Sequence, residues 1–226
     1  MKPIWFCSIL LLLSVPAMAQ RPRGVERPQR HAHATHVAKG RIVVDGQLSE
    51  PEWATAESLT DFFQQEPTEG ALSSFKSDVR LVYDDETLYV GAMLYDPEPD
   101  KLVSNELKRD FAPRDSDMFG ITIDTFLDKL NGYGFFTMPM GAWRDSQVAD
   151  DGRANNQNWD GVWKVKTSIV KDGWIVEYSI PFRSLRFPRR DTQVWGLNVV
   201  RLIRRTNEIT LWNFVPRSFA LSRRAT

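Results

Sequence analysis

The stretch from residue 159 to residue 187, WDGVWKVKTSIVKDGWIVEYSIPFRSLRF, constrains the fold more than any other part of this sequence. Apolar and polar residues alternate with a period of two on both sides of the dipeptide Asp172-Gly173. A β-strand sends successive side chains to opposite faces, and Asp-Gly favours the tight turn of a hairpin. Counting outward from a two-residue loop at Asp172-Gly173 predicts that Ile169 lies opposite Val176. The sequence therefore predicts antiparallel β structure here.

A second hairpin is predicted over residues 78–96, DVRLVYDDETLYVGAMLYD. A four-residue loop at positions 84–87 would place Tyr83 opposite Leu88 and carry the pairing outward from there. Both faces of this pair are largely apolar, which is typical of strands that are covered on both sides. We therefore expect the pair to be central in its sheet.

The remaining periodic segments predict more strands and little helix. Strands are expected at residues 117–125, 133–140, 194–205 and 209–215. A short helix is expected over Leu48–Ala56, with Ser49 as N-cap and Trp53 on its buried face. Residues 141–158 are polar and predict a long loop. The total of roughly eight to ten strands is typical of an all-β sandwich or barrel.

The two ends of the sequence are expected to lie outside the folded domain. Residues 1–19 combine an early lysine, an apolar run and a small-residue cleavage pattern, which is typical of a secretory signal peptide. Residues 20–39 are rich in Pro, Arg and His and predict a flexible linker. A single domain is expected over residues 40–217, and residues 218–226 would begin a linker or a truncated downstream region.

Charge and cysteine usage exclude several classes of protein. Lys plus Arg and Asp plus Glu both number 29, so the formal net charge is zero, which argues against a nucleic-acid partner. The one cysteine, Cys7, lies in the predicted signal peptide, so the mature chain would have no disulfide and no thiolate metal site. The three histidines, His31, His33 and His36, lie in the predicted linker. That pattern favours a solvated linker over the alternative of a metal-binding tract.

Four segments in register resemble the family 9 carbohydrate-binding modules. They are IVVDGQLSEPEW (42–53), DVRLVYDDETLYVGAMLYDPEP (78–99), DMFGITIDT (117–125) and GWIVEYSIPFRSL (173–185). The sequence is most similar to the version found at the N-terminus of large bacterial outer-membrane proteins of unknown function.

This resemblance implies a fold, a function and a location. The fold would be an antiparallel, immunoglobulin-like β-sandwich that binds a polysaccharide or oligosaccharide between aromatic rings. The module would be non-catalytic and attached to enzymes that hydrolyse O-glycosyl bonds in xylan or cellulose-type polysaccharides. It would act in the periplasm, at the outer membrane or outside the cell, and an outer-membrane barrel would follow in the same or a longer chain.

Sugar binding needs flat apolar rings for pyranose faces and planar polar groups for hydroxyls. These coincide in the polar segment 141–158 and at its end. The predicted carbohydrate-binding residues are Trp143, Trp159, Arg144, Asp145 and Asn155. The alternative is that a loop tryptophan folds back onto its own domain. Five other tryptophans are predicted to be core residues: Trp53, Trp163, Trp174, Trp195 and Trp212.

The acidic residues could serve in catalysis or bind a cation. No spacing singles out the pair of carboxyl groups that a glycosidase needs. Calcium prefers several oxygen ligands from loops, and Asp115 with Asp117, or the acids at positions 84–86, are the candidates. No EF-hand spacing is present, and the pattern favours the alternative that these are solvated acids in turns. Glu177 matches a position of the family, and diagonal pairing with Lys166 across the hairpin would explain it. Haem is not expected, because the predicted domain has no histidine to ligate it.

Two functions remain in competition at this point. The first is a secreted, non-catalytic carbohydrate-binding module. The alternative is a periplasmic structural or interaction domain that caps an outer-membrane barrel and has no sugar site.

Overall fold

The structure is a computed structural model that describes residues 28–112, 114–149 and 154–217. The predicted signal peptide (1–19), the start of the predicted linker and the predicted downstream region (218–226) lie outside the described residues. Within them, no helix has the length and apolar character needed to cross a membrane.

In these residues twelve strands form two sheets, with one short α-helix, α1 (Pro51–Thr55). The strands are β1 (Thr35–His36), β2 (Phe63–Glu66), β3 (Ser77–Tyr83), β4 (Thr87–Tyr95), β5 (Met118–Asp124), β6 (Gly132–Thr137), β7 (Trp143–Ala149), β8 (Ala154–Asn156), β9 (Lys164–Val170), β10 (Gly173–Pro181), β11 (Gly196–Ile203) and β12 (Glu208–Leu211). The first sheet has the order β1-β3-β4-β10-β9, and the second has the order β2-β12-β11-β5-β6-β7-β8.

The predicted all-β sandwich is confirmed. Buried side chains of both sheets share one core, in which Val79 and Val90 of the first sheet pack with Phe119 and Ile121 of the second. All strand pairs are antiparallel except β1 with β3. The number of strands exceeds the predicted eight to ten, because strands as short as β1 and β8 are too short to show an alternation of apolar and polar residues.

The β3–β4 hairpin has the predicted register, with Tyr83 opposite Leu88. Its β4 strand lies between β3 and β10, so the predicted central position is also confirmed. The helix that covers its outer side is shorter than predicted and begins after Glu50 rather than Ser49. Trp53 of that helix is buried as predicted, and it packs so closely that a Cβ at Gly91 would lie 2.9 Å from its ring.

The β9–β10 hairpin has the predicted faces but a different turn. Val170 pairs with Gly173, so the loop is Lys171-Asp172 and the predicted loop at Asp172-Gly173 is wrong. Ile169 consequently lies opposite Trp174 and not opposite Val176. The register differs by two residues, and an even shift leaves each side chain on its predicted face.

Glu177 binds the backbone instead of pairing with a lysine. It lies directly opposite Lys166 in the register, but it is buried, and its Oε2 accepts hydrogen bonds from the N–H groups of Asp45 (2.9 Å) and Gly46 (2.7 Å). The predicted diagonal pairing with Lys166 is therefore wrong. Burial raises the pKa of Glu177 to about 7, although these two hydrogen bonds oppose the shift. The carboxyl ties the turn at residues 45–46 to the middle of β10.

The segment 141–158 is mostly strand, and the prediction of a long loop is wrong. It contains β7 and β8, which extend the second sheet beyond β6. Asp145 of β7 lies opposite Phe135 of β6, and Asn155 of β8 lies opposite Val148. Polar side chains on both faces of β7 hide the alternation that usually reveals a strand.

Residues 28–39, which we call the N-terminal segment, also differ from the predicted flexible linker. Thr35 pairs with Val82 in a parallel bridge, and the N–H of Val37 donates to the carbonyl of Tyr83 at 2.8 Å. The Val37 side chain is buried. At the other end of the segment, the Arg30 guanidinium donates to the carbonyl oxygens of Asp61 and Trp212. This segment is packed on the domain rather than being free of it.

Candidate functional site

The five predicted carbohydrate-binding residues do not converge on one surface. Successive residues of β7 point to opposite faces, so Trp143 and Asp145 share one face and Arg144 lies on the other. Asn155 is exposed on β8, and its register places it on the face of Arg144. Trp159 follows β8 and packs onto the core.

Asp145 is a fully buried anchor. Its Oδ2 accepts hydrogen bonds from the Gly161 N–H (2.7 Å) and from the Trp163 indole (3.3 Å). Its Oδ1 accepts from Arg109 at 3.0 Å, and Arg109 also bonds Asp160 at 2.6 Å. The carboxylate thus holds residues 159–163 across one face of β7, and it has no oxygen free for a sugar hydroxyl without giving up one of these contacts.

The two tryptophans differ in what their rings can offer. Trp143 is 39% exposed, and the Arg109 guanidinium lies 5.8 Å from the centre of its ring. Trp159 is half-buried, with ring centres at 5.0 Å from Tyr133 and 5.9 Å from Phe135. Its indole lies so close over Gly161 that a Cβ there would be 2.6 Å away. Trp143 is therefore the more available platform, and Trp159 supports the aromatic cluster behind it.

The other tryptophans take the core positions expected of them. Three are buried (Trp53, Trp174 and Trp212), and two are half-buried against the main core (Trp163 and Trp195). Arg144 also has an internal role, because its Nη1 donates to the carbonyl of Phe111 at 3.0 Å.

An open pocket of about 210 Å³ lies where β5 turns into β6. It is lined by Thr125, Phe126, Asn131, Gly132, Tyr133, Gln147 and Arg186. Gln147 lies opposite Tyr133 on the same face of β7 as Trp143 and Asp145. At about 3.3 Å per residue, Trp143 is about 13 Å from Gln147 along that face.

Two aspartates shape the loop that forms the pocket wall. Asp124 accepts hydrogen bonds from the N–H groups of Phe126 (3.1 Å) and Lys129 (2.7 Å), and Asp128 accepts from Leu130 and Asn131. Partial burial alone would raise the pKa of Asp128, but these donors and the Asn131 amide lower it. The loop holds Phe126 outward, where 44% of the residue is exposed.

The remaining wall of the pocket is polar and firmly placed. The N–H of Arg186 donates to the Tyr133 hydroxyl at 3.1 Å, and the Thr125 hydroxyl donates to the carbonyl of Arg186 at 2.5 Å. Among the described residues, neither the Gln147 side-chain amide nor the Arg186 guanidinium has a hydrogen-bond partner. The residues that line the pocket therefore include one exposed aromatic residue, Phe126, and two residues whose polar side-chain groups have no partner among the described residues.

The candidate calcium residues fit such an ion poorly. Asp117 is buried, and its two oxygens accept hydrogen bonds from the N–H groups of Val103 (2.6 Å) and Arg204 (3.2 Å). Burial raises the pKa of Asp117, whereas a bound cation needs an accessible carboxylate. Asp115 is exposed, and within the described part of the chain the one hydrogen bond to it is from the Asn105 amide to its backbone carbonyl. Within residues 28–112, 114–149 and 154–217, no group of three or more His, Cys, Asp or Glu side chains could hold a metal.

A two-sheet sandwich with such a pocket has the architecture of a carbohydrate-binding module. A sequence model of the family described as "carbohydrate family 9 binding domain-like" matches residues 44–207. The chain belongs to this family. Because the family comprises non-catalytic binding modules, the chain is a binding module and not an enzyme.

Solved structures share the fold at low sequence identity. A family 9 carbohydrate-binding module from Caldicellulosiruptor kristjanssonii in complex with cellotriose is 18% identical, with a TM-score of 0.55 over 79% of this chain and 83% of that chain. A family 9 module from the same organism in complex with glucose is also 18% identical, with a TM-score of 0.55 over 83% of this chain and 93% of that chain. A candidate carbohydrate-binding protein from Bacteroides uniformis has 10% identity and a TM-score of 0.65, over 85% and 96%. No curated protein matches this chain.

Sequence reasoning missed the pocket, because none of the five predicted carbohydrate-binding residues lines it. Its side chains come from the end of β5, the following loop, β6, β7 and the segment before β11, so no local spacing unites them. The one local signal was the run of Phe126, Leu127 and Leu130 in a turn, where large apolar residues have no core to enter.

Proposed function

We propose that this chain is a secreted, non-catalytic module that binds a saccharide in the pocket between β5 and β6. The observation that carries the proposal is the composition of the pocket wall. Phe126 offers a flat apolar surface, and Gln147 and Arg186 offer planar polar groups without partners among the described residues. Pyranose rings need both, because their C–H faces are apolar and their rims carry hydroxyls.

The two tryptophans that were predicted to bind the sugar have different roles in this proposal. Trp159 supports the ring of Tyr133 from behind and acts on the pocket indirectly. Trp143 is exposed on the same face of β7, about 13 Å away by strand rise and beyond residues 159–163, so it would meet only a saccharide long enough to cross that segment. Asp145 is assigned a structural role, and Arg144 and Asn155 lie on the opposite face.

The saccharide class is proposed from the relatives. The similar Caldicellulosiruptor kristjanssonii module is in complex with cellotriose and with glucose. Together with the family membership, this supports β-glucan or xylan-type ligands and an association with enzymes that hydrolyse O-glycosyl bonds. Glucose, cellotriose and xylotriose are therefore the first neutral probes.

The test is isothermal titration calorimetry with these sugars, extended to soluble polysaccharides by affinity electrophoresis. F126A should weaken binding by about fivefold or more, because it removes an aromatic stacking surface. L130A is the matched control, since Leu130 is exposed in the same loop and does not line the pocket. W143A should weaken binding of the longer sugars more than that of glucose.

Two results would contradict the proposal. If no saccharide or polysaccharide produces heat or a mobility shift, the alternative of a structural or interaction domain without a sugar site is favoured. If binding survives F126A but is abolished by W143A alone, the binding site lies at the far end of β7.

Export is proposed from the sequence alone. The signal-like residues 1–19 support secretion to the periplasm, the outer membrane or the medium, and the family resemblance supports a C-terminal outer-membrane barrel as partner. Cell fractionation with N-terminal sequencing of the mature protein tests the export. Recovery of the intact N-terminus from the cytoplasm would contradict it.

A further inference from the structure

We propose that the pocket between β5 and β6 is selective for acidic saccharides, whose carboxylate binds the guanidinium of Arg186. This inference rests on the proposed function, because it names the class of sugar that the same pocket takes. It concerns uronic acids as opposed to the neutral sugars used as first probes above.

Arg186 is fixed in the pocket at its backbone and free at its side chain. Its N–H and its carbonyl are held by Tyr133 and Thr125. Its guanidinium has no hydrogen bond or ion pair among the described residues. Arg80, Arg109 and Arg205, by contrast, each have a carboxylate partner.

No carboxylate lines the pocket to neutralise this charge. The nearest acids along the chain, Asp124 and Asp128, turn their oxygens toward the N–H groups of their own loop. Arg186 is exposed beside an open cavity and has no internal counterion, so its cation is accessible to an anion from solution.

The chain around Arg186 is rich in positive charge. Arg183, Arg189 and Arg190 flank Arg186 in the chain, all are exposed, and none has an ion pair in the described part of the chain. Lys129 is exposed on the loop of the opposite wall. Asp191 is the one acid in this run. The wall loop also carries Asp124 and Asp128, so the five cations exceed the three acids by two formal charges, whereas the whole chain has a net charge of zero. This surplus would attract anionic ligands.

The groups of the pocket suit a sugar that carries one carboxylate. A guanidinium binds a carboxylate through two parallel N–H donors, which fixes both position and orientation. The amide of Gln147 is then available for hydroxyls and Phe126 for a ring face, while the Asn131 amide nitrogen already donates to Asp128. A neutral sugar can use the amides and the ring but gains no charge-assisted bond, so the acidic sugar should bind about tenfold more tightly.

The experiment compares sugars that differ only in charge. Glucuronic acid and galacturonic acid are each titrated beside their methyl esters and beside glucose and galactose, at neutral pH and low ionic strength. Arg186→Gln removes the charge and keeps a planar amide. Arg183→Gln is the matched control, because it makes the same charge change on an exposed arginine that does not line the pocket.

The expected result is that at least one uronic acid binds about tenfold more tightly than its ester, and that added salt reduces this preference. Arg186→Gln should abolish the preference and leave the affinity for the ester within about twofold, while Arg183→Gln keeps the preference. If acids, esters and neutral sugars bind equally, the inference is overturned and the proposed sugar site stands. If no sugar of either kind binds, the proposed function itself fails. A preference that Arg183→Gln removes equally would show general charge attraction rather than recognition by Arg186.

Discussion

Glu177 shows how one buried carboxyl can make the stability of the whole domain depend on pH. Its Oε2 serves two backbone donors, while its Oε1 is buried with no hydrogen-bond partner among the described residues. Burial raises its pKa from an ordinary value of 4.5 to about 7, and the charges of Glu50 and Asp45 add to that effect. The folded state therefore holds a proton more tightly than the unfolded state does.

The first prediction follows from the sign of this shift. Stability linked to Glu177 is fully present below pH 4.5 and is lost as the pH rises toward and through about 7. The glutamine of E177Q stays neutral, and its amide oxygen can accept hydrogen bonds from both backbone donors. The loss of stability with rising pH that is linked to Glu177 should therefore disappear in this variant. The difference in free energy of unfolding between wild type and E177Q should change by on the order of 3 kcal/mol between pH 4.5 and 7.

Urea denaturation at a series of pH values measures this effect. E106Q, at an exposed glutamate, is the control and should follow the wild type. Parallel curves for wild type and E177Q between pH 4.5 and 7 would show that the Glu177 carboxylate is already ionised at the lower pH.

At the scale of elements, the β9–β10 hairpin depends on a single glycine. Gly173 begins β10 with φ at 144°, and a Cβ there would lie 2.1 Å from the carbonyl oxygen of Leu94 on the neighbouring β4. The obstacle is backbone of a central strand and cannot rotate away. The glycine thus lets β10 approach β4 closely at the point where the hairpin turns.

The second prediction is that G173A destabilises the domain by roughly 2 to 5 kcal/mol, through strain at positive φ and displacement of the strand. G40A provides the comparison, because Gly40 also has a positive φ, of 78°, but a Cβ there meets nothing within 4 Å. G40A should therefore lower the free energy of unfolding by only about 1 to 2 kcal/mol. Equal losses for both variants in thermal unfolding would mean that backbone strain, and not the contact with β4, sets the cost.

The elements that sequence could predict are those with apolar alternation and a short loop. The β3–β4 register was correct because both arms alternate and the loop length fixes the pairing. The β9–β10 turn was displaced by one residue because Gly173 serves close packing instead of the turn itself. β7 was missed because its polar residues, such as Asp145, are buried by partners that the sequence does not reveal.

The candidate site was harder to predict for the same reason. Trp143 was identified correctly as an exposed ring, since a tryptophan among polar residues stands out. Gln147 and Arg186 meet only because β7 and the segment after β10 reach the same edge of the sandwich. Such contacts depend on sheet order, which local patterns do not determine.

At the scale of the whole molecule, the N-terminal segment (28–39) joins parts that are distant in the chain. Its Arg30 lies 4.9 Å from the ring centre of Trp212 and donates to the carbonyl of that residue, just after β12 of the second sheet. Its β1 strand extends the first sheet beside β3. One short segment therefore contacts both halves of the sandwich and covers an edge strand, which otherwise has unpaired backbone groups.

The third prediction tests whether the domain begins where its sequence suggests. A chain that starts at Arg41 loses the buried side chain of Val37, the bridge to β3 and the Arg30 hydrogen bonds. We expect its free energy of unfolding to fall by on the order of 3 kcal/mol, with Tm about 10 °C lower. A chain that starts at Arg30 keeps all of these contacts and is the control. If both chains melt at the same temperature, the N-terminal segment does not stabilise the sandwich and the boundary near residue 40 is correct.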